Sequence, residues 1–392
     1  MLLLYISVTT FKSKAFRLDL PYKIFHFITK KLNMKLLQPA LIGSKLLKNR
    51  MIMAAMTRSR SGVDGLVNEL TKKYYTQRAG AGLIISEGVN ISEQAIGSPF
   101  TPGIFNKNQI EAWKAVTKAI HEEGGLIFAQ LWHTGRVGHS TDRKGNIPVA
   151  PSAIAIEGLK HFTSEGLKEY EIPKELTREE IKTIVKDYRQ AALNAFEAGF
   201  DGVQLHAANG YLPNQFLAES VNKRKDEYGG SIENNSRFIL EIMKELIEVA
   251  GGERVSIKIS PLNPYNEISL NNPIETYSYL LQEIDKMDIA FIELSKKGLM
   301  FPLLSHYPKE DEIELFGRMT RHTIVANGGY TRESAEAELE KGIAKFISFG
   351  VNFLSNPDLP KRFEKDFVLN EADTASFFGG NEKGYTDYAF MS

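Results

Sequence analysis

The chain contains no cysteine. Disulfides, thiolate metal sites and a cysteine nucleophile are therefore excluded, and the absence fits a cytoplasmic protein. A surplus of either charge is missing as well: 48 Lys and Arg stand against 48 Asp and Glu, a formal net charge of zero. Nothing then supports a phosphate-tracking basic surface, so nucleic acid is not an expected partner. Apolar runs are short. "MLLLYISV" at the start falls far below the roughly 18 residues that span a bilayer. It also has no basic flank or small-residue cleavage site of a secretory signal, so no membrane partner is expected. His133 and His139 lie close together but without carboxylates at metal-ligand spacing, and no metal is expected.

The 392 residues suit one large domain or two of ordinary size. Residues 1–33 mix aromatics and lysines without a clear period, and Met34 in "KKLNMKLLQPALIG" makes a more natural beginning. Residues 1–33 are expected to be an N-terminal extension outside the fold, arising from a mis-assigned start codon, and residues 34–392 a single domain. From Arg50 onward, short apolar runs alternate with amphipathic stretches. The expected strands are 51–55, 82–88, 126–133, 202–207, 255–260, 290–295, 323–329 and 345–350. Their near-continuous β-branched and aliphatic character fits parallel strands covered on both faces. Helical patterns lie between them, such as "NQIEAWKAVTKAIHEEG" and "SRFILEIMKELIEVAG". Thr177 with Glu180 forms a capping box, and Gly124, Gly199, Gly251 and Gly342 stand where helices end.

Eight strands, each followed by a helix or a long excursion, predict a (β/α)8 TIM barrel. A doubly wound sheet is the alternative, but no G-x-G-x-x-G follows the first strand. Residues 134–176 are too long for a simple connection and read as an excursion after the third strand, a hairpin and lid over the barrel mouth. Functional residues of such barrels sit where strands end. Here those ends carry Thr57, Gly88, Gln130 and Trp132, then His206, Asn209 and Tyr211, then Lys258, Gly328, Gly329 and Gly350. The stretch "LHAANGYLPNQFL" gathers a histidine, an amide and a phenol at one strand end, which suggests a site more than a core.

The strings "MAAMTRSR", "GLIISEG", "QLWHTGR", "LHAANGYLPNQFL", "DEYGGSIENNSRF", "NGGYT", "NPDL" and "GYTDY" together resemble the old yellow enzymes, the FMN-dependent ene-reductases. The resemblance runs from about Met34 to the C-terminus. It implies a bound FMN, NADPH or NADH as electron donor, and a small activated alkene as substrate. It also implies that Ala55, Met56, Thr57, Gly88, Gln130 and Lys258 meet the flavin ring. Backbone N–H groups of Gly328-Gly329 and Gly350-Val351 would hold the phosphate, although Gly328-Gly329 also reads as a tight turn. Asn356, followed by Pro357, would cap the helix beyond. His206 and Asn209 become hydrogen-bond donors to a substrate oxygen, and Tyr211 the proton donor. Trp132, Tyr265 and Phe378 become pocket walls.

Three positions depart from the family pattern. Lys258 replaces an arginine, exchanging a planar fork for a point charge. Val351 replaces the arginine that grips the phosphate, with Arg332 as a nearby candidate to compensate. Phe378 replaces a tyrosine. The loop "PLNPYNEI" is also unusual. Two functions fit: an NAD(P)H-dependent ene-reductase with looser FMN, or a drifted paralogue binding flavin or small phenols with little turnover. The oligomer is expected to be a monomer or a homodimer.

Overall fold

A computed structural model describes residues 34–298 and 302–391. The extension expected over residues 1–33 lies outside the described residues. Strands β1 (Ala40–Ile42) and β2 (Lys45–Leu47) form an antiparallel hairpin ahead of the barrel. The barrel strands are β3 (Met51–Met53), β4 (Leu83–Asn90), β5 (Ile127–Trp132), β10 (Gly202–Ala207), β11 (Val255–Ile259), β12 (Phe291–Ser295), β13 (Ile324–Asn327) and β14 (Ala344–Phe349). They pair in parallel in that order, and β14 closes onto β3. The expected strands match all eight, with ends shifted by at most two residues.

Helices occupy the outside because each carries one apolar stripe. The stripe of α3 (Arg178–Glu197) buries Ile181, Ile184, Val185, Tyr188, Ala191, Ala192 and Ala195, a three-to-four-residue spacing. Its capping box is present, with Thr177 accepting from the Glu180 N–H and Glu180 accepting in return. The other principal helices are α1 (Glu69–Gln77), α2 (Lys107–Glu122), α5 (Ile232–Ala250), α6 (Pro273–Ile284) and α8 (Arg332–Glu340). The short ones are α4 (Leu212–Leu217), α7 (Glu312–Gly317), α9 (Val351–Ser355) and α10 (Leu359–Lys365).

The excursion after β5 contains the expected hairpin, β7 (Lys160–Thr163) against β8 (Gly166–Glu169). It is tied down by two short parallel segments, β6 (Val149–Ala150) and β9 (Lys174–Glu175). No described helix is long and apolar enough to cross a membrane.

Alternation along the strands sorts the barrel interior by height. Phe128, Phe291, Val325 and Phe346 join Ile52 and Leu83 in an apolar cluster that Ile42 and Leu47 of the leading hairpin extend. Two residues further on, each of four strands turns polar: Gln130, Glu293, Asn327 and Ser348. An oily base therefore supports a polar upper layer at the strands' C-terminal ends.

Candidate active site

Register places this polar layer side by side. Gln130 pairs with Gln204, His206 with Lys258, and Lys258 with Glu293 across adjacent strands. The Gln130 Nε2 donates to Gln204 Oε1 at 2.8 Å, and Gln204 Nε2 donates to Glu293 Oε2 at 2.9 Å. Glu293 is completely buried, and its Oε1 accepts from Lys258 Nζ at 3.1 Å and Ser348 Oγ at 2.8 Å. Asn327 Nδ2 donates in turn to Ser348 Oγ at 2.8 Å. A buried carboxylate is tolerable here because both oxygens are satisfied and a cation stands beside it. Lys258 spends one of its three donors on Glu293, and Gln130 keeps its carbonyl oxygen unspent among the described residues.

The expected trio adjoins this layer, with His206 beside Lys258. The His206 and Tyr211 rings meet edge to face at 4.9 Å, and Trp132 meets Tyr211 the same way at 5.1 Å. Burial, and secondarily the Lys258 charge, pushes the His206 pKa well below its usual range, so the imidazole is neutral and offers a single N–H. Its Nδ1 is buried without a partner among the described residues. Burial pushes the Tyr211 phenol upward, with Tyr265 and Tyr170 adding to the effect, so its proton stays on.

The turn that carries Asn209 and Tyr211 is held from several sides. Asn209 has φ +57° and Gly210 φ +73°, two successive left-handed residues. A Cβ at Gly210 would come within 2.6 Å of the Tyr265 carbonyl oxygen, so only glycine fits. Gly210 N–H donates to Asn214 Oδ1 at 2.9 Å, and Gln215 Nε2 donates to the Gly210 carbonyl at 2.8 Å. The Asn209 N–H donates to Ser260 Oγ at 2.8 Å, and Asn266 Nδ2 donates to the Asn209 carbonyl at 2.8 Å.

The remaining predicted residues fall as follows. Ala55, Met56 and Thr57 are half-buried just beyond β3, and Met56 lies against Gly350. Gly88 pairs with Gln130, and a Cβ there would sit 2.4 Å from the Trp132 indole. In this structure, then, glycine at 88 makes room for tryptophan. Gly328 and Gly329 follow β13 with φ +143° and +68°. Tyr265 is 40% exposed in the loop after β11. Phe378 is 63% exposed in the C-terminal segment and makes no ring contact with Trp132, His206 or Tyr211.

Two expectations need correction. Arg332 does not compensate for Val351: its guanidinium pairs with Asp366 and with Glu333 at 2.9 Å, and donates to the Phe363 carbonyl. Val351 itself is 49% exposed at the first position of α9. Asn356 does not cap the following helix either. The cap of α10 is Asp358, with Pro360 in the first turn, and the Asp358 carboxylate is taken by Arg362 Nε at 2.7 Å.

The donor set fits the pyrimidine edge of FMN. Lys258 has donors to spare for the O2 and N1 side, Gln130 has an acceptor for N3–H, and the Thr57 hydroxyl has no partner among the described residues. Residues missed in the sequence are Gln204, Glu293, Asn214, Gln215, Ser260, Asn263 and Asn266. Gln204 and Glu293 left a signal, a polar residue inside an otherwise apolar strand. The others lie in loops or a short helix, where no period betrays direction.

Comparison with known proteins agrees with this geometry. The sequence model of the NADH:flavin oxidoreductase / NADH oxidase family matches residues 35–370. A flavin oxidoreductase of Emericella nidulans is 39% identical over 380 residues, covering 91% of this chain and 97% of that one. Morphinone reductase superposes with a TM-score of 0.87 at 42% identity, covering 92% of this chain and 97% of its own. An old yellow enzyme homologue from Zymomonas mobilis gives 0.87 at 39% identity, covering 91% and 100%.

Proposed function

The chain belongs to the NADH:flavin oxidoreductase / NADH oxidase family, as an NAD(P)H-dependent FMN oxidoreductase, and from that premise we propose that it reduces the activated C=C bond of α,β-unsaturated carbonyl or nitro compounds. Bound FMN supplies the two-electron chemistry, taken from NAD(P)H and passed to the alkene. Everything else falls to the chain's own side chains. His206 and Asn209 donate to the substrate carbonyl or nitro oxygen and hold the alkene over the polar layer. As negative charge develops on that oxygen, each preorganised donor is worth roughly 3–4 kcal/mol. Tyr211 Oη gives its proton to the α-carbon on the face opposite the flavin. Lys258 would help hold the pyrimidine edge of the ring and would place a positive charge there.

The observation that carries this proposal is the juxtaposition of His206, Tyr211 and Trp132, with Lys258 beside His206 and the Gln130–Gln204 pair below. A protein without catalytic work has no physical need to gather His206, Asn209 and Tyr211 at the end of one strand with Thr57 and Gln130 at the ends of others. The drifted-paralogue alternative draws on the three departures at Lys258, Val351 and Phe378. One experiment separates the two. FMN-loaded protein should lose flavin absorbance on addition of NADPH and regain it with 2-cyclohexenone. Tyr211→Phe should keep the first step and slow the second by about 10²–10⁴-fold. Protein that stays inert after FMN loading would favour the binder.

A further inference from the structure

We propose that Asn263, in the loop after β11, is a positioning residue that fixes which end of the Asn209 amide faces the substrate. This rests on the site reading above, in which Asn209 acts as a donor. An asparagine amide is nearly symmetrical in shape, with a donor at one end and an acceptor at the other. Nothing in the side chain itself decides which end enters the pocket. If the carbonyl end did, it would repel the substrate oxygen that the amino end attracts.

The structure contains a one-way chain of hydrogen bonds that settles the choice. The Tyr265 backbone N–H donates to Asn263 Oδ1 at 3.2 Å. A backbone N–H cannot become an acceptor, so it pins the Asn263 carbonyl end and leaves its amino end to point elsewhere. Asn263 Nδ2 then donates to Asn209 Oδ1 at 3.0 Å. That occupies the acceptor end of Asn209 and leaves its Nδ2, which has no partner among the described residues, to face outward as a donor. The polarity thus originates in the main chain and is relayed through two side chains.

The relay depends on a strained loop. Asn266 and Glu267 have φ +58° and +57°, and consecutive left-handed residues are costly for side chains with a Cβ. Arg136 holds them there, donating to the carbonyls of Asn266 at 2.8 Å and Glu267 at 3.3 Å. The same conformation lets Asn266 grip the Asn209 carbonyl. The loop therefore clamps both the backbone and the side chain of Asn209.

Asn263→Asp tests the relay. Aspartate is nearly the same size and keeps an acceptor for the Tyr265 N–H, but its second oxygen can only accept. It would draw the Asn209 amino end towards itself and turn the carbonyl into the pocket. The measurement is binding of 4-hydroxybenzaldehyde to the FMN-loaded protein, followed by the flavin spectrum, with flavin content as the control for folding. Asn263→Asp should weaken binding by more than about tenfold, and Asn263→Ala by only a few-fold, because alanine merely frees the amide to turn. A purely structural role would reverse that order, since aspartate is the more conservative change, and would overturn the proposal. Should Asn263→Asp fail to retain FMN, Asn263→Leu is the second variant. It should bind the phenol a few-fold more weakly, and wild-type affinity there would overturn the proposal too. Asn209→Ala separates this from the site reading: unchanged phenol binding in that variant would sink the donor role of Asn209 itself.

Discussion

Glu293 is fully buried, and its two oxygens accept from Lys258, Ser348 and Gln204. Its charge therefore offsets much of the Lys258 charge, which on the proposed reading would act on the flavin. Glu293→Gln should leave the lysine uncompensated. In the flavin-free protein that is expected to cost about 3–5 kcal/mol, because one member of a buried pair has lost its partner. In the loaded protein the same change should favour the reduced, negatively charged ring. A potentiometric titration should then read a midpoint raised by roughly 30–60 mV, the two-electron equivalent of about 1.4–2.8 kcal/mol. An unchanged potential would mean that Glu293 does not act on the flavin through Lys258. At this scale the trio of His206, Asn209 and Tyr211 was legible, because those residues are neighbours in the chain. Glu293, Asn263 and Ser260 were not, because Asn263 and Ser260 reach Asn209 from the segment after β11 and Glu293 reaches Lys258 from β12. Only barrel closure makes them neighbours.

On the proposed reading, in which Gly350 and Val351 hold the FMN phosphate, the element that bears on FMN affinity is α9, five residues long, with Gly350 as its N-cap and Val351 as its first residue. Its short length gives little dipole to hold a phosphate, so a side-chain cation would contribute a large share of the grip. Two candidate cations are already engaged. Arg332 is committed to Asp366 and Glu333, and Lys296 pairs with Asp311 at 2.7 Å. Val351 is half exposed, so a longer side chain meets no steric barrier there. Val351→Arg should tighten FMN by about 10–100-fold, as expected for a charge-assisted hydrogen bond of about 1.5–3 kcal/mol. Fluorescence titration of flavin-free protein would measure it, with riboflavin as the control. Riboflavin has no phosphate, so an equal gain for both ligands would place the arginine's effect elsewhere. The barrel strands were legible as elements, since each is a short apolar run of uniform character. Helix α6 was also available from Asn272, Tyr277, Leu280, Leu281 and Ile284, the last four buried at helical spacing, although the sequence reading did not name it. Helices α4, α7, α9 and α10 were hidden by their size, since five to seven residues complete fewer than two turns.

For the molecule as a whole, zero net charge conceals buried ionisable groups whose effects on stability run in opposite directions. Burial pushes His133 and His206 well below their usual range, with Arg143 and Lys258 respectively adding to the effect. In the unfolded chain both titrate near about 6.5. Below that pH the unfolded state takes up protons that the fold refuses, so stability is present above it and lost as pH falls. Glu87 and Glu312 act in the contrary sense. Burial pushes each up to about 7, against the opposing influence of the Arg58 N–H on Glu87 and the Lys297 N–H on Glu312. Between the unfolded carboxyl value of about 4.3 and 7, the fold binds these protons more tightly, so stability is gained as pH falls. The "GLIISEG" run shows an acid inside an apolar strand, but only the closed barrel shows that its carboxylate accepts from the Arg58 main-chain N–H while its own main-chain N–H donates to the Tyr75 hydroxyl. Glu87→Gln should remove one compensating contribution and expose the histidine loss. Between pH 7 and 5 the variant should lose roughly 2–3 kcal/mol more stability than the parent chain. Denaturant unfolding at the two pH values measures the difference, and parallel profiles for variant and parent would show that Glu87 stays ionised in the fold across that interval.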